Sequence, residues 1–239
     1  MNLHVPLKIR LLSDLHLELH EISDLNFKKK ADVVILAGDI GDPFDDNYIM
    51  LLEKLSLLHE KVFVITGNHE YYSKYTMSEI DTKIKQILED ESDIHFLQMN
   101  SVSYKGVKFM GCTLWSHAND KTLCKYMNDF NYITFDEYVT KHNEHREWLE
   151  QELTLDFPGK ICVITHHLPS FSLINEEYHE HPLNIFFATD INTKCADVWC
   201  YGHTHKANQT EINNVKFYCN PRGHPDEKSG WNIDCIFEL

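Results

Sequence analysis

The side chains best suited to chemistry in this chain are aspartate, asparagine and histidine, gathered in five short clusters. These are Ser13-Asp14-Leu15-His16, Gly38-Asp39-Ile40-Gly41-Asp42, Gly67-Asn68-His69-Glu70, His166-His167 and Gly202-His203-Thr204-His205. A mixture of oxygen and imidazole donors suits Mn²⁺, Fe²⁺ or Zn²⁺, and the lack of thiolates among them argues against a purely structural zinc site. Seven such ligands exceed what one ion needs. Two divalent ions about 3.5–4 Å apart, bridged by one carboxylate, would use them all in the arrangement suited to phosphate-ester hydrolysis. Gly38, Gly67 and Gly202 adjoin the ligands, where the missing Cβ lets the backbone turn sharply beside an ion or phosphate.

Each cluster follows a predicted strand. Leu7–Leu12, Val33–Ala37 and Val62–Thr66 are near-continuous apolar runs of strand length, as expected where both faces are covered. Ile49, Leu52, Leu55 and Leu58 recur at near-helical spacing before the third run, and Ile80, Ile84, Ile87 and Leu88 do so after it. Parallel strands with helices packed outside are implied. Ile94–Leu97, Val102–Tyr104 and Val107–Cys112 are closely spaced strands, the last two joined by a hairpin at Lys105-Gly106, so a second, mixed sheet follows. A helix over Phe135–Leu153 shows Tyr138, His142, His145 and Leu149 on one face. Ile161–Thr165, Val198–Tyr201, Glu211–Ile212, Lys216–Cys219 and Asn232–Glu238 read as the remaining strands, the last three as short antiparallel segments around Asn213-Asn214. Trp115–Asn131 and Ser170–Asp190 read as long loops that would set specificity. In an open α/β sheet, ligands bind beyond the carboxyl ends of the strands, which is where all five clusters fall.

Read in order, these clusters resemble the calcineurin-like metallophosphoesterases, whose pattern is D-x-H, G-D, G-N-H-[DE], a later His, and G-H-x-H; the resemblance spans Asp14 to His205. It implies a four-layer α/β/β/α sandwich of two mixed sheets. By resemblance, Asp14, His16 and His205 hold a first metal, Asn68, His166 and His203 a second, and Asp39 bridges them. His69 would act as general acid for the leaving oxygen, with Asp42, three residues after the bridge, as its carboxylate partner, while His167 would orient the site from behind its ligands. The implied activity is hydrolysis of a small phosphomonoester or phosphodiester, for instance a nucleotide, by attack of a metal-bound hydroxide without a covalent enzyme intermediate. The rival functions are a non-catalytic metal-binding or scaffold protein on the same fold, and a UDP-sugar-lipid pyrophosphatase. The second shares Ser-Asp-Leu-His-Leu but carries Arg at the position of His69. The phosphate-holding Arg of the protein serine/threonine phosphatases is missing, since Pro43-Phe44 follows Asp42.

Other polar residues stay open. Arg222, in Asn220-Pro221-Arg222-Gly223, could bind a substrate phosphate bidentately or form a structural ion pair. His142 and His145 form a possible rival metal pair, though without an evident carboxylate they read better as a solvated helix face. His117 and the loop carrying Glu176, Glu177, His179, Glu180 and His181 could line an entrance or be plain solvated surface.

Composition sets the frame for these readings. The chain has 239 residues with no repeat or linker, so one domain over 1–239 is expected. Its 22 Lys and Arg against 37 Asp and Glu give a net charge of −15, which disfavours extended nucleic acid and anionic lipid as partners and leaves a small phosphorylated substrate. Seven cysteines without a CxxC pair read as reduced, mostly buried thiols. With no long apolar run and Lys8 and Arg10 interrupting the first one, neither a membrane span nor a signal peptide is expected, and the cytoplasm is the default location. Oligomeric state has no signature.

Overall fold

The computed structural model describes residues 6–239. In chain order the elements are β1 (Lys8–Leu12), β2 (Val33–Ala37), α1 (Asp46–Ser56), β3 (Lys61–Ile65), α2 (Met77–Ile87), β4 (Ile94–Phe96), β5 (Asn100–Tyr104), β6 (Val107–Cys112), α3 (Phe135–Glu152), β7 (Lys160–Thr165), β8 (Val198–Tyr201), β9 (Asn208–Ile212), β10 (Val215–Cys219) and β11 (Ile236–Glu238). One sheet has the order β11-β1-β2-β3-β4 and the other β5-β6-β7-β8-β10-β9. Both are mixed: β1 to β4 run parallel with β11 antiparallel at one edge, and β6, β7, β8 and β10 run parallel with β5 and β9 antiparallel at the two edges.

The unbroken apolar runs exist because each sheet is covered twice. In β2, Val33, Ile35 and Ala37 face the second sheet, where they meet Phe109, Ile164 and Cys200. Val34 and Leu36, on the opposite face, meet Tyr48, Leu51, Leu52 and Leu55 of α1. The second sheet repeats the scheme, turning Met110, Val163 and Trp199 outward onto Leu149 and Leu153 of α3 and its end. Helix, sheet, sheet and helix therefore stack as four layers. Between the sheets the rings of Phe63 and Phe109 stack with centroids 4.1 Å apart, a geometry that adds roughly 0.5–1.5 kcal/mol to plain area burial. Helices α2 and α3 open on reciprocal caps, Thr76 with Glu79 and Thr134 with Glu137, each worth about 1 kcal/mol. The β5–β6 turn holds Lys105 and Gly106 at φ of 45° and 79°, the left-handed pair that matches the twist of a two-residue hairpin.

Two expectations need correction. The last strand is shorter than Asn232–Glu238, and it leaves the β9–β10 hairpin to pair with β1 in the first sheet. Arg10, wholly buried, draws this segment across: its guanidinium bonds Ile233 O and sits 2.8 Å from Asp234 Oδ1. His142 and His145 are also not a solvated face, since both are buried on α3 and clamp the turn after β6. His145 Nδ1 accepts from Leu114 N at 3.1 Å, and His142 Nδ1 donates to Leu114 O at 3.1 Å. Among the described residues no helix is long and apolar enough to cross a membrane.

Candidate metal centre

The five clusters continue past their strands as paired loops. Asp14 N donates to Gly38 O, His16 N to Asp39 O, and Gly202 N to His166 O, each at 3.0 Å, so the β1, β2, β7 and β8 loops carry the sheet pattern to the ligand residues. The backbone there is strained. Asp14, His16, Asp39, His203 and His205 have φ of 49°, 46°, 53°, 71° and 47°, a left-handed region that costs a non-glycine residue roughly 1–2 kcal/mol. Glycine is required beside them for space: a Cβ on Gly67 would lie 2.1 Å from Asp39 Oδ1, and one on Gly202 2.6 Å from Asp14 Oδ2.

The side chains converge on Asp39. Its Oδ1 accepts from His69 N at 2.8 Å, while Oδ2 lies 3.3 Å from His166 Nε2 and 4.0 Å from both His16 Nε2 and His69 Nε2. On one side, ligand-capable atoms of Asp14, His16, Asp39 and His205 lie within 4.8 Å of one another, and on the other side so do those of Asp39, His166 and His203. Asn68 Oδ1 joins the second group, 3.1 Å from His166 Nε2.

Outer contacts fix which ring nitrogen faces inward. Nδ1 of His16 is held by Glu18 at 2.9 Å, that of His166 by Ala37 O at 2.9 Å, and that of His205 by Glu227 at 2.6 Å, which turns each Nε2 to the centre. His203 is reversed, with Nε2 against Phe186 O at 3.3 Å.

Charge in this cluster favours cations. Asp14 and Asp39 are buried, and Asp14 Oδ2 has no hydrogen-bond partner. Burial disfavours charge on His166 and His69, yet the Asp39 carboxylate outweighs it and lifts them to about 10 and about 9. A buried carboxylate pair that draws His16, His69 and His166 toward their charged form while burial pushes His203 the other way, with an orphaned aspartate oxygen, fits divalent metal ions. Asp14, His16 and His205 would hold one, Asn68, His166 and His203 another, with Asp39 between.

The family profile described as calcineurin-like phosphoesterase matches residues 7–207, a stretch that includes all of these side chains. The chain belongs to the calcineurin-like phosphoesterase family. It is 27% identical to an uncharacterized protein, L509, of Acanthamoeba polyphaga mimivirus, over 94% of each chain. Among solved structures it resembles phosphopantetheinyl hydrolase from Mycobacterium tuberculosis, with a TM-score of 0.69, 17% identity, and coverage of 99% and 97% of the two chains. A dimetal phosphatase from Danio rerio follows with a TM-score of 0.52, 12% identity, and 91% and 88% coverage. At those identities the likeness is one of fold.

Two residues singled out in the sequence do not join the phosphoesterase site. Asp42 is exposed, and its Oδ1 accepts from Phe44 N at 2.9 Å rather than meeting His69. The carboxylate beside His69 is Glu18, whose Oε1 lies 3.3 Å from His69 Nδ1. Burial favours the neutral acid, but the hydrogen bonds from His16 and His69 pull the Glu18 carboxyl down to about 2. Arg222 turns to Asp24, Nη2 to Oδ2 2.7 Å, and does not line the cavity above the metal cluster.

Other side chains at this centre had no role assigned from the sequence. Glu70, buried, accepts from Asp39 N, Ile40 N and Gly67 N at 3.1, 2.7 and 2.7 Å and latches the β2 and β3 loops together. Burial and the nearby Asp39 charge push it up to about 7. His224 stands over the first group, its ring 4.9 Å from that of His16 and 4.8 Å from that of His205. Glu70 fills the [DE] place of the family pattern, adjacency to a ligand in sequence was the only pointer to Glu18, and His224 and Glu227 had none. His167 packs its ring 4.1 Å from that of His203, behind the second group. His181 reaches the cavity, whereas His117 is exposed outside it.

Proposed function

We propose that this family member is a dinuclear, metal-dependent phosphoesterase that hydrolyses a small phosphomonoester or phosphodiester. The observation that supports it most is the position of Asp39, buried with one carboxylate oxygen facing ligand groups on two sides. Bound divalent cations would supply neutralisation of the phosphoryl charge and an acidified water as nucleophile.

The chain's own residues complete the reaction. His69 has a side chain one-quarter exposed to the cavity. Its Nδ1–H donates to Glu18, so Nε2 is the atom turned to the reacting centre, and protonated Nε2 gives its proton to the departing ester oxygen. The backbone bond from His69 N to Asp39 Oδ1 ties that acid to the bridging residue, fixing one relative to the other. A non-catalytic scaffold would have no use for such an imidazole.

The test is hydrolysis of p-nitrophenyl phosphate and bis(p-nitrophenyl) phosphate by metal-stripped protein, before and after adding Mn²⁺. Metal-dependent turnover lost in Asp39→Asn is the expected result, and the ratio of the two rates reports ester class. Two ions bound with neither ester cleaved would overturn the reading.

A further inference from the structure

The cavity above the metal cluster extends well past the space a phosphoryl group needs. It has a volume of about 410 Å³, and its floor includes Asp39, Asn68, His69 and His203. Its outer walls come from the two long loops, through Tyr126 of the 121–126 turn and Tyr178 of the 176–178 turn, with Ile174, Leu183 and Phe187 between. Tyr126 and Tyr178 are 62% and 54% exposed, so these rings are not core residues. Surface tyrosines that line a concave site are amphipathic contacts for a flat ligand group.

The charge of the same walls is equally informative. Among the described residues no Lys or Arg lines the cavity, and its two carboxylates are Asp129, which is buried, and Glu227, which is bonded to His205 Nδ1. The His181 ring stands at the same cavity, its Nδ1 accepting from Leu183 N at 3.3 Å. The wall amides are partly spent on the turn itself, Asn184 Nδ2 donating to Tyr178 O at 2.8 Å and Asn175 capping Glu177 N. Lysine and arginine charge is thus absent from the outer walls. A second anionic group on the ligand would leave water for aromatic faces with no lysine or arginine beside them, inside a protein of net charge −15.

We infer that the outer cavity is a subsite for an uncharged aromatic or apolar organic group, so that the substrate is a phosphoester carrying its only anionic charge at the reacting phosphate. The inference rests on the phosphoesterase reading for the position of the phosphate. Esters with further phosphates or carboxylates, such as nucleoside triphosphates, are poor ligands on this account.

Binding tests it independently of turnover. Calorimetric titration of Mn²⁺-loaded protein compares inorganic phosphate, phenylphosphonate, 4-carboxyphenylphosphonate and 4-(aminomethyl)phenylphosphonate. Phenylphosphonate should bind about tenfold tighter than phosphate, as expected for burying one ring between aromatic walls. The carboxylate should remove at least about threefold of that affinity and the ammonium should not. In Tyr126→Ala/Tyr178→Ala the ratio of phenylphosphonate to phosphate affinity should fall below about threefold. Equal binding of the carboxylated and plain ligands, an unchanged ratio in the double variant, or no binding of any of the four would overturn the inference. Selective phosphonate binding without cleavage of either p-nitrophenyl ester would leave the subsite standing and remove the enzymatic reading instead.

Discussion

Glu18 Oε1 lies 3.3 Å from Nδ1 of His69, and the same oxygen lies 2.9 Å from Nδ1 of His16. One carboxylate therefore orients both the imidazole of a proposed metal ligand and the proposed general acid. His69→Gln should keep its metal and lose about 10²–10⁴-fold in turnover, the usual share of general acid catalysis. Glu18→Gln should lose about 10–100-fold, because a carboxylate behind a ligand histidine acts on both affinity and orientation. Asp42→Asn should stay within about twofold of wild type, since its side chain only caps Phe44 N. Steady-state rates paired with metal content by mass spectrometry separate these cases.

The contrast between Glu18 and Asp42 shows what was legible in the sequence. Ligand-type residues after β1, β2, β3, β7 and β8 could be placed because strand ends are readable from apolar runs, and parallel strands put those ends on one side. Covered parallel strands were readable for the same reason, since runs such as Val33–Ala37 are apolar on both faces only when both are covered, whereas the sandwich of two mixed sheets came with the family resemblance. The partner of His69 was not readable, since Glu18 is 51 residues away and meets it only through the left-handed turn at Asp14 and His16. Asp42, close in sequence to the bridge, is carried outward when the chain turns into the cap of α1. The final strand was misplaced because the pull of buried Arg10 on Asp234 spans 224 residues.

Gly67→Ala should weaken metal binding by more than about tenfold. Gly67 has ordinary backbone angles, so an alanine is opposed only by the 2.1 Å approach of its Cβ to Asp39 Oδ1 and 2.6 Å to Asp39 N. The Asp39 carboxylate and the backbone that carries it must both shift, and loss of the bridging geometry accounts for the weakened affinity. Metal titration followed by the rise in melting temperature provides the measurement, because an ion that binds only the folded state stabilises it by mass action. A variant with wild-type metal-induced stabilisation would show that Asp39 does not bridge.

Arg222→Met should leave KM for phosphate esters unchanged and lower stability modestly. The guanidinium is 8% exposed, pairs with a half-exposed Asp24, and lies 5.3 Å over the Trp231 ring. Such partly solvated pairs contribute about 0–1 kcal/mol, and the methionine keeps most of the aliphatic packing. A raised KM in a stably folded variant would return Arg222 to the substrate.

Acid should destabilise the metal-free protein through His145 and His142. Burial pushes them down to about 3 and about 4, from an unfolded value near 6.5. Between those values the unfolded chain holds a proton on each that the folded chain excludes, so stability is fully present above about pH 6.5 and falls as pH drops, by about 1.4 kcal/mol per pH unit for each histidine. The excluded site on His145 is Nδ1, which must stay unprotonated to accept from Leu114 N. Asparagine places a carbonyl oxygen near the same position and cannot titrate. His145→Asn should therefore flatten the fall in urea midpoint between pH 6.5 and pH 4 by about one proton's worth relative to wild type, the other acid-sensitive groups being common to both proteins. Parallel curves for the two proteins would mean that His145 becomes protonated in the folded state without breaking its bond to Leu114.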